Sequence, residues 1–313
     1  QAIEVRPSGL VYVGGRFSTC GEVQANNIAV FDPATGTFDS LGDGSANGTN
    51  ESVSAIEISN DNVYVAGGFN FAGGIFASKI ARWDGTEWQA LGTGIGSGGP
   101  VRAMELDGTD LYVGGNWSGA GGTNARNIAR WDGAQWNTVG SGAENGVDGI
   151  VEAIEVFNGN VFVGGRSFTQ AGSEEVSGIA LWDGTQWAAV GPGGNAGVSS
   201  TTGDAQVLDL EKHDGHLIVG GIFETAGPID AFSIAAWDGS EWSALEGITA
   251  GAIVSVESTS LGLVAADTGG SFDGQDPDGN PARVFVNIWD GTSWAPLNQN
   301  GDLLNDRAAA LGS

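Results

Sequence analysis

The chain has 313 residues, 38 of them acidic and 11 basic, for a formal charge of −27. A surface this negative repels nucleic-acid phosphates and anionic lipids. Glycine is abundant at 55 residues but has no three-residue period, which excludes collagen, and a 41% hydrophobic content is that of a folded chain.

The apolar runs are too short to insert in a membrane as a helix. Only two lysines are present, Lys79 and Lys212, and a single cysteine, Cys20. No intrachain disulfide and no thiolate metal cluster can form. No signal peptide is visible, and the start at Gln1 without Met reads as a processed or trimmed N-terminus. The acidity suits cations, high salt or an extracellular medium.

Along the chain, the first strand-like stretch is AIEV at 2–5. VYVGG at 11–15 follows, then a loop RFSTCG, then NIAVFD at 27–32 and the hairpin FDPATGTF at 31–38. This order recurs. The signature returns as WDGTEW at 83–88, WDGAQW at 131–136, WDGTQW at 182–187, WDGSEW at 237–242 and WDGTSW at 289–294. The six starts lie 48 to 55 residues apart.

Each unit holds four short runs rich in Val, Ile, Leu, Trp and Tyr, bounded by Gly, Asn and Asp. No segment has sustained helical periodicity with caps. Four strands per unit at a period near fifty predict an all-β, six-bladed β-propeller with four antiparallel strands per blade. The expected domain runs over 1–300.

The glycine pair closing the second strand, the aromatic-Asp of the third and the Trp opening the fourth resemble the kelch-like propellers, the group that includes the central domain of galactose oxidase. The WDGxxW variant is similar to repeats of secreted bacterial proteins and fungal cortical surface proteins. The resemblance covers nearly the whole chain. It implies a fold and leaves function open, because propellers host unrelated activities.

Residues present in every blade read as architecture. Asp84 is expected to bond turn amides, Gly85 to take positive φ, and Trp83 and Trp88 to pack across the hairpin and onto the next blade. Cys20 takes a slot held elsewhere by Ala72, Ala120, Ala171 and Ala226. Trp117 shares a slot with Phe17, Phe69, Phe168 and Phe223, and reads as core.

The first-strand acids Glu4, Glu57, Glu105, Glu155, Asp209 and Glu257 read as one equivalent position in all six blades. In a propeller that strand lines the central channel, so the six form a ring. Two readings stay open: each carboxylate accepts backbone amides of a neighbouring blade, or the ring holds a cation or ordered water.

Loops between the second and third strands, and connectors between repeats, are longer and more varied than the other turns. Binding of a protein or glycan is expected on that face. One loop, DTGGSFDGQDPDGNP at 267–281, spaces Asp273, Asp276, Asp278 and Asn280 as calcium ligands do, without a complete EF-hand pattern. The alternative there is a solvated acidic turn.

Enzymatic signals are sparse. KHDGH at 212–216 reads as a slightly lengthened turn whose two histidines are a weak zinc pattern. GIGSGG at 94–99 matches GxGxxG with no helix after it. Neither nicotinamide nor flavin is expected. Nor is copper, since a galactose-oxidase-type site needs a cross-linked Cys–Tyr pair and His ligands. A glycoside-cleaving carboxylate pair is not selected by any pattern.

The tail at 301–313 carries RAAAL, which resembles the opening strand of another repeat. The chain then reads as cut from a longer repeat protein, or as self-associating through that tail. The function expected is a secreted or surface-exposed, non-enzymatic module for binding, adhesion or structure. The alternatives are a lectin-like glycan binder and a glycoside hydrolase or polysaccharide lyase using loop-face carboxylates.

Overall fold

In the computed structural model, the residues described are 2–44, 47–142, 145–193, 196–201, 203–245, 247, 251–268 and 285–296. The acidic loop residues Asp273, Asp276, Asp278 and Asn280, and the tail at 301–313, lie outside them. All regular elements of the described residues are β-strands. They form two compact units, one within Gln1–Gly146 and one within Val147–Ala308.

The first unit holds three four-stranded sheets. Their strands are Ala2–Val5, Val11–Gly14, Ile28–Asp32 and Thr37–Ser40; then Val53–Ser59, Asn62–Gly67, Ile80–Trp83 and Trp88–Ala90; then Gly98–Asp107, Asp110–Trp117, Ile128–Trp131 and Trp136–Thr138. The second unit holds three more. These are Ile150–Phe157, Asn160–Arg166, Ile179–Trp182 and Trp187–Ala189; then Gln206–His213, His216–Ile222, Ile234–Trp237 and Trp242–Ala244; then Ile253–Thr259, Gly262–Asp267, Phe285–Trp289 and Trp294–Pro296.

Each of these six sheets is an antiparallel meander whose four strands pair in chain order. Apolar runs separated by short turns specify this, with two residues between the first and second strands of the second to sixth sheets. Within each unit the first strands of consecutive sheets touch: Ala2–Val5 against Val53–Ser59, Val53–Ser59 against Gly98–Asp107, Ile150–Phe157 against Gln206–His213, and Gln206–His213 against Ile253–Thr259.

Sheet packs on sheet through the second strand. An added Cβ at Gly220 would meet Ile253 Cγ2 of the next repeat at 2.7 Å. Gly14 stands likewise against Val53, and Gly164 against Val207. The missing side chain is what admits a β-branched residue from the following first strand. The central strands are buried on both faces, as the adjacent pairs Val63 and Tyr64, Leu111 and Tyr112, and Leu217 and Ile218 show. The chain therefore reads as continuously apolar there rather than alternating.

Small ribbons link the repeats at the ends of the sheets. Between the second and third strands, Thr19–Cys20 pairs with Val23–Gln24, Phe71–Ala72 with Ile75–Phe76, Gly119–Ala120 with Thr123–Asn124, Gln170–Ala171 with Glu174–Glu175, and Thr225–Ala226 with Ile229–Asp230. The connector from the preceding repeat bridges to the same alanine each time: Thr49 to Ala72, Ile95 to Ala120, and Val147 to Ala171, with Val198 pairing to Ala226. Those four alanines are buried, whereas Cys20 is only partly so, and its thiol is shifted upward by burial. Trp117 is buried, as its slot predicts.

Candidate functional site

The WDGxxW hairpins come first, because they carry the densest chemistry. Asp84 Oδ1 accepts the amides of Thr86 and Glu87 at 2.9 Å each and the Thr86 hydroxyl at 2.8 Å. Its Oδ2 accepts Gln89 Nε2 at 2.8 Å. Gly85 sits at φ +97°, the left-handed region this turn requires. The Glu87 amide above all, then the Thr86 hydroxyl and amide, hold the Asp84 carboxyl down at about 2. Asp132 is held at about 2 chiefly by the Gln135 amide, Asp183 by the Thr185 hydroxyl, and Asp290 by the Ser293 amide. Asp238 is shifted the same way, chiefly by the Glu241 amide. These carboxylates are committed to their own turns.

The paired tryptophans are equally committed. The Trp83 and Trp88 rings meet at 5.5 Å between centroids. Trp88 Nε1 donates to Leu41 O at 2.9 Å, Trp136 Nε1 to Leu91 O at 2.8 Å, and Trp294 Nε1 to Leu245 O at 3.2 Å. Within each unit the indole thus fastens a repeat to the end of the preceding one. The sequence reading had it packing onto the next blade. The direction reverses because the fourth strand lies beside the connector that delivered the chain into its own repeat.

The first-strand acids require one correction. Glu4 pairs with Tyr12, Glu57 with Tyr64, Glu105 with Tyr112, Glu155 with Phe162 and Glu257 with Val264. In the fifth repeat the residue at that register is Glu211, opposite Ile218. Asp209 pairs with Gly220, the place held by Ala55, Ala103, Ala153 and Ser255 in other repeats. Two carboxylates two residues apart lie on one face of a strand, so alternation cannot tell them apart. Pairing register can. The same alignment removes the lengthened turn: His213 and His216 flank a two-residue turn, as Ser59 and Asn62 do.

In the second unit these acids form a cluster. Lys212 Nζ pairs with the buried Glu155 at 2.6 Å, and Glu155 Oε1 also accepts the Val156 amide at 2.9 Å. Asp209 Oδ2 accepts the Val256 amide of the next first strand at 2.8 Å, and Oδ1 accepts Leu210 N at 3.0 Å. Burial pushes the Asp209 carboxyl up to about 7 against these bonds. Burial, then the charges of Glu257, Glu155 and Asp209, push Glu211 up to about 8. Among the described residues, no three His, Cys, Asp or Glu side chains are grouped so as to hold one metal ion.

The ribbons carry the clearest departure from the repeat. At one register pair the five ribbons read Thr19–Gln24, Phe71–Phe76, Gly119–Asn124, Gln170–Glu175 and Thr225–Asp230. Only the second is aromatic. Phe71 and Phe76 contact edge to face at 5.7 Å, and Phe76 is 61% exposed. Ile75 beside them is exposed too. Asn50 Oδ1 accepts the Asn70 and Phe71 amides at 2.9 and 2.8 Å and so fixes the base of this ribbon. Sequence reading passed over the pair; comparing the ribbons position by position would have found it.

Residues 1–158, half of the chain, match the family described as Rax2 C-terminal beta propeller domain. The chain belongs to that family. The Rax2 match ends at Asn158, in the first turn of the fourth sheet, while the pairing pattern continues through the fifth and sixth sheets. The Rax2 assignment and the four-stranded antiparallel sheets together make this a β-propeller chain. No curated protein gives a match. Among solved structures, the computationally designed Ika8 protein is 16% identical, with 98% of this chain and 86% of that one covered at a TM-score of 0.48, a likeness too loose to carry an argument.

Proposed function

We propose that this Rax2-family propeller is a non-enzymatic binding module of the cell exterior, secreted or surface-exposed, which holds a protein partner through its ribbon face. The observation that carries this reading is the exposed Phe71–Phe76 pair, backed by Ile75, on the one ribbon among the described residues that breaks a polar pattern. A large apolar group left in water at a rigid, repeat-breaking position marks an interaction site. The chemistry-bearing residues that do repeat are spent on architecture: the hairpin aspartates on their turns, the indoles on the preceding repeat. The charge of −27 supports an exterior setting and a partner that is not anionic.

The test is a capture experiment on solubilised surface proteins of the source cells, with wild type beside a Phe71→Ser/Phe76→Ser variant. Selective loss of a partner from the variant, with unchanged thermal unfolding, supports the reading. Equal recovery by both proteins removes it. A glycan array with and without Ca²⁺, run in parallel, assigns any sugar binding to the lectin alternative instead.

A further inference from the structure

A cleft of about 540 Å³ opens between the fifth and sixth sheets, at the end of the second unit's sheets where the two-residue turns lie. That size is within the range of ligand sites. Its apolar lining includes Ile218, Leu245, Leu263 and Trp289, with Leu261 at the rim and 76% exposed. Its polar lining includes the two histidines of the chain, His213 and His216, with Asp214 and Asp290. Among the described residues, no lysine or arginine lines it.

The hydrogen-bonding groups of fixed role in the cleft offer mostly acceptors: the Ser243 hydroxyl is spent on Ala236 O at 3.5 Å, and the Ser260 hydroxyl serves either way. His216 Nδ1 lies 2.9 Å from the Asp214 carbonyl, which can only accept, so Nδ1 carries the proton and Nε2 of the neutral ring is a bare lone pair. Thr259 Oγ1 donates its proton to Gly262 O at 2.7 Å and accepts the Leu261 amide at 3.2 Å, which leaves it one lone pair. The Asp214 side chain is 90% exposed, its nearest cationic candidate being His213 Nε2 at 3.6 Å. The Asp290 carboxylate, tied down by the Thr292 and Ser293 amides, is a fixed negative charge. His213 Nδ1 is occupied by Ser258 Oγ at 2.9 Å.

A sugar asks its site for donors as well as acceptors, and an anion asks for donors alone. A cleft of acceptors, two carboxylates, aliphatic walls and a half-buried indole suits a planar cation with several N–H groups on an apolar stem. We propose that this cleft receives an arginine side chain of a partner polypeptide, with the guanidinium at Asp214 and His216 and the stem along Leu261 and Trp289. This site is separate from the aromatic ribbon and does not depend on it.

With only two histidines in the chain, their imidazole proton signals in NMR report on this cleft and on nothing else. The probes are N-acetyl-arginine methylamide, its uncharged isostere N-acetyl-citrulline methylamide, and methyl glucoside. The expected result is a saturable shift of the histidine signals by the arginine probe, at least tenfold weaker for citrulline and absent for the glucoside. Asp214→Asn, at a turn position of φ +46° that Asn tolerates, is expected to weaken the arginine shift several-fold. Leu261→Ser provides an independent variant outside the turn's hydrogen bonds and is expected to weaken it as well. Equal affinity for arginine and citrulline overturns the proposal. So does a saturable glucoside shift, or an arginine response indifferent to both substitutions.

Discussion

Trp88 Nε1 and Leu41 O are joined by a 2.9 Å hydrogen bond across 47 residues of sequence. Both ends are buried, so the bond is not exchanged for water when it breaks. Trp88→Phe keeps an aromatic ring, removes the indole N–H and leaves the Leu41 carbonyl with the Gly48 amide alone. The expected loss from the bond is about 0.5–1.5 kcal/mol of stability, read from the urea midpoint. Trp242→Phe, whose bond to Val190 O is 3.4 Å long, is expected to lose less. An equal loss at both sites would show that ring packing, not the bond, is what matters.

Gly220 touches Ile253 where one sheet meets the next. Gly220→Ala forces a methyl against Ile253 Cγ2, and the expected cost of overpacking is about 1–3 kcal/mol. Ile253→Ala in the same chain should return part of it. Additive losses in the double mutant would mean that the two residues are not in competition for the same space.

Stability should respond to pH in two opposite ways. The carboxyls of Asp84, Asp132, Asp183 and Asp290 sit at about 2, below their ordinary 3.8. The unfolded chain binds those protons more tightly, so their contribution is complete above about pH 4 and is lost as pH falls through about 2. Asp209 and Glu211 are raised to about 7 and about 8, from 3.8 and 4.5. There the folded chain binds the proton more tightly, so stability falls as pH rises from about 4 to about 8. The melting temperature is expected to peak near pH 4–5. Glu211→Gln should flatten the alkaline limb and leave the acid limb unchanged. A variant curve parallel to wild type between pH 5 and 8 would dismiss the protonated cluster.

Lys212 is the cation that the acid cluster holds, through Glu155 at 2.6 Å. Lys212→Met keeps the stem and removes the charge beside a buried carboxylate. The expected loss at pH 8 is about 1–3 kcal/mol, less than for a fully buried pair because Lys212 is half exposed. At pH 5 the loss should shrink, since protonated neighbours repel Glu155 less. Guanidinium melts at the two pH values make the comparison.

Much of the fold was legible in the residues alone. A signature recurring every 48 to 55 residues, four β-like runs per unit and glycine at fixed places demand short antiparallel sheets. The role of Asp84 was legible too, because an Asp-Gly turn uses local bonds that sequence spacing fixes. What sequence could not supply was anything that depends on which residue faces which. Glu211, not Asp209, shares the register of the other first-strand acids, and only the pairing of Glu211 with Ile218 says so. The indole of Trp88 reaches backward to Leu41 because packing, not chain direction, chooses its partner. In sequence, His213 and His216 read as a slightly lengthened turn with a weak zinc pattern. They line a cleft because Leu261 and Trp289 are brought beside them by the next sheet. Local chemistry and periodicity are written along the chain, whereas register and neighbours belong to the folded sheets, where residues about fifty positions apart come within hydrogen-bonding distance.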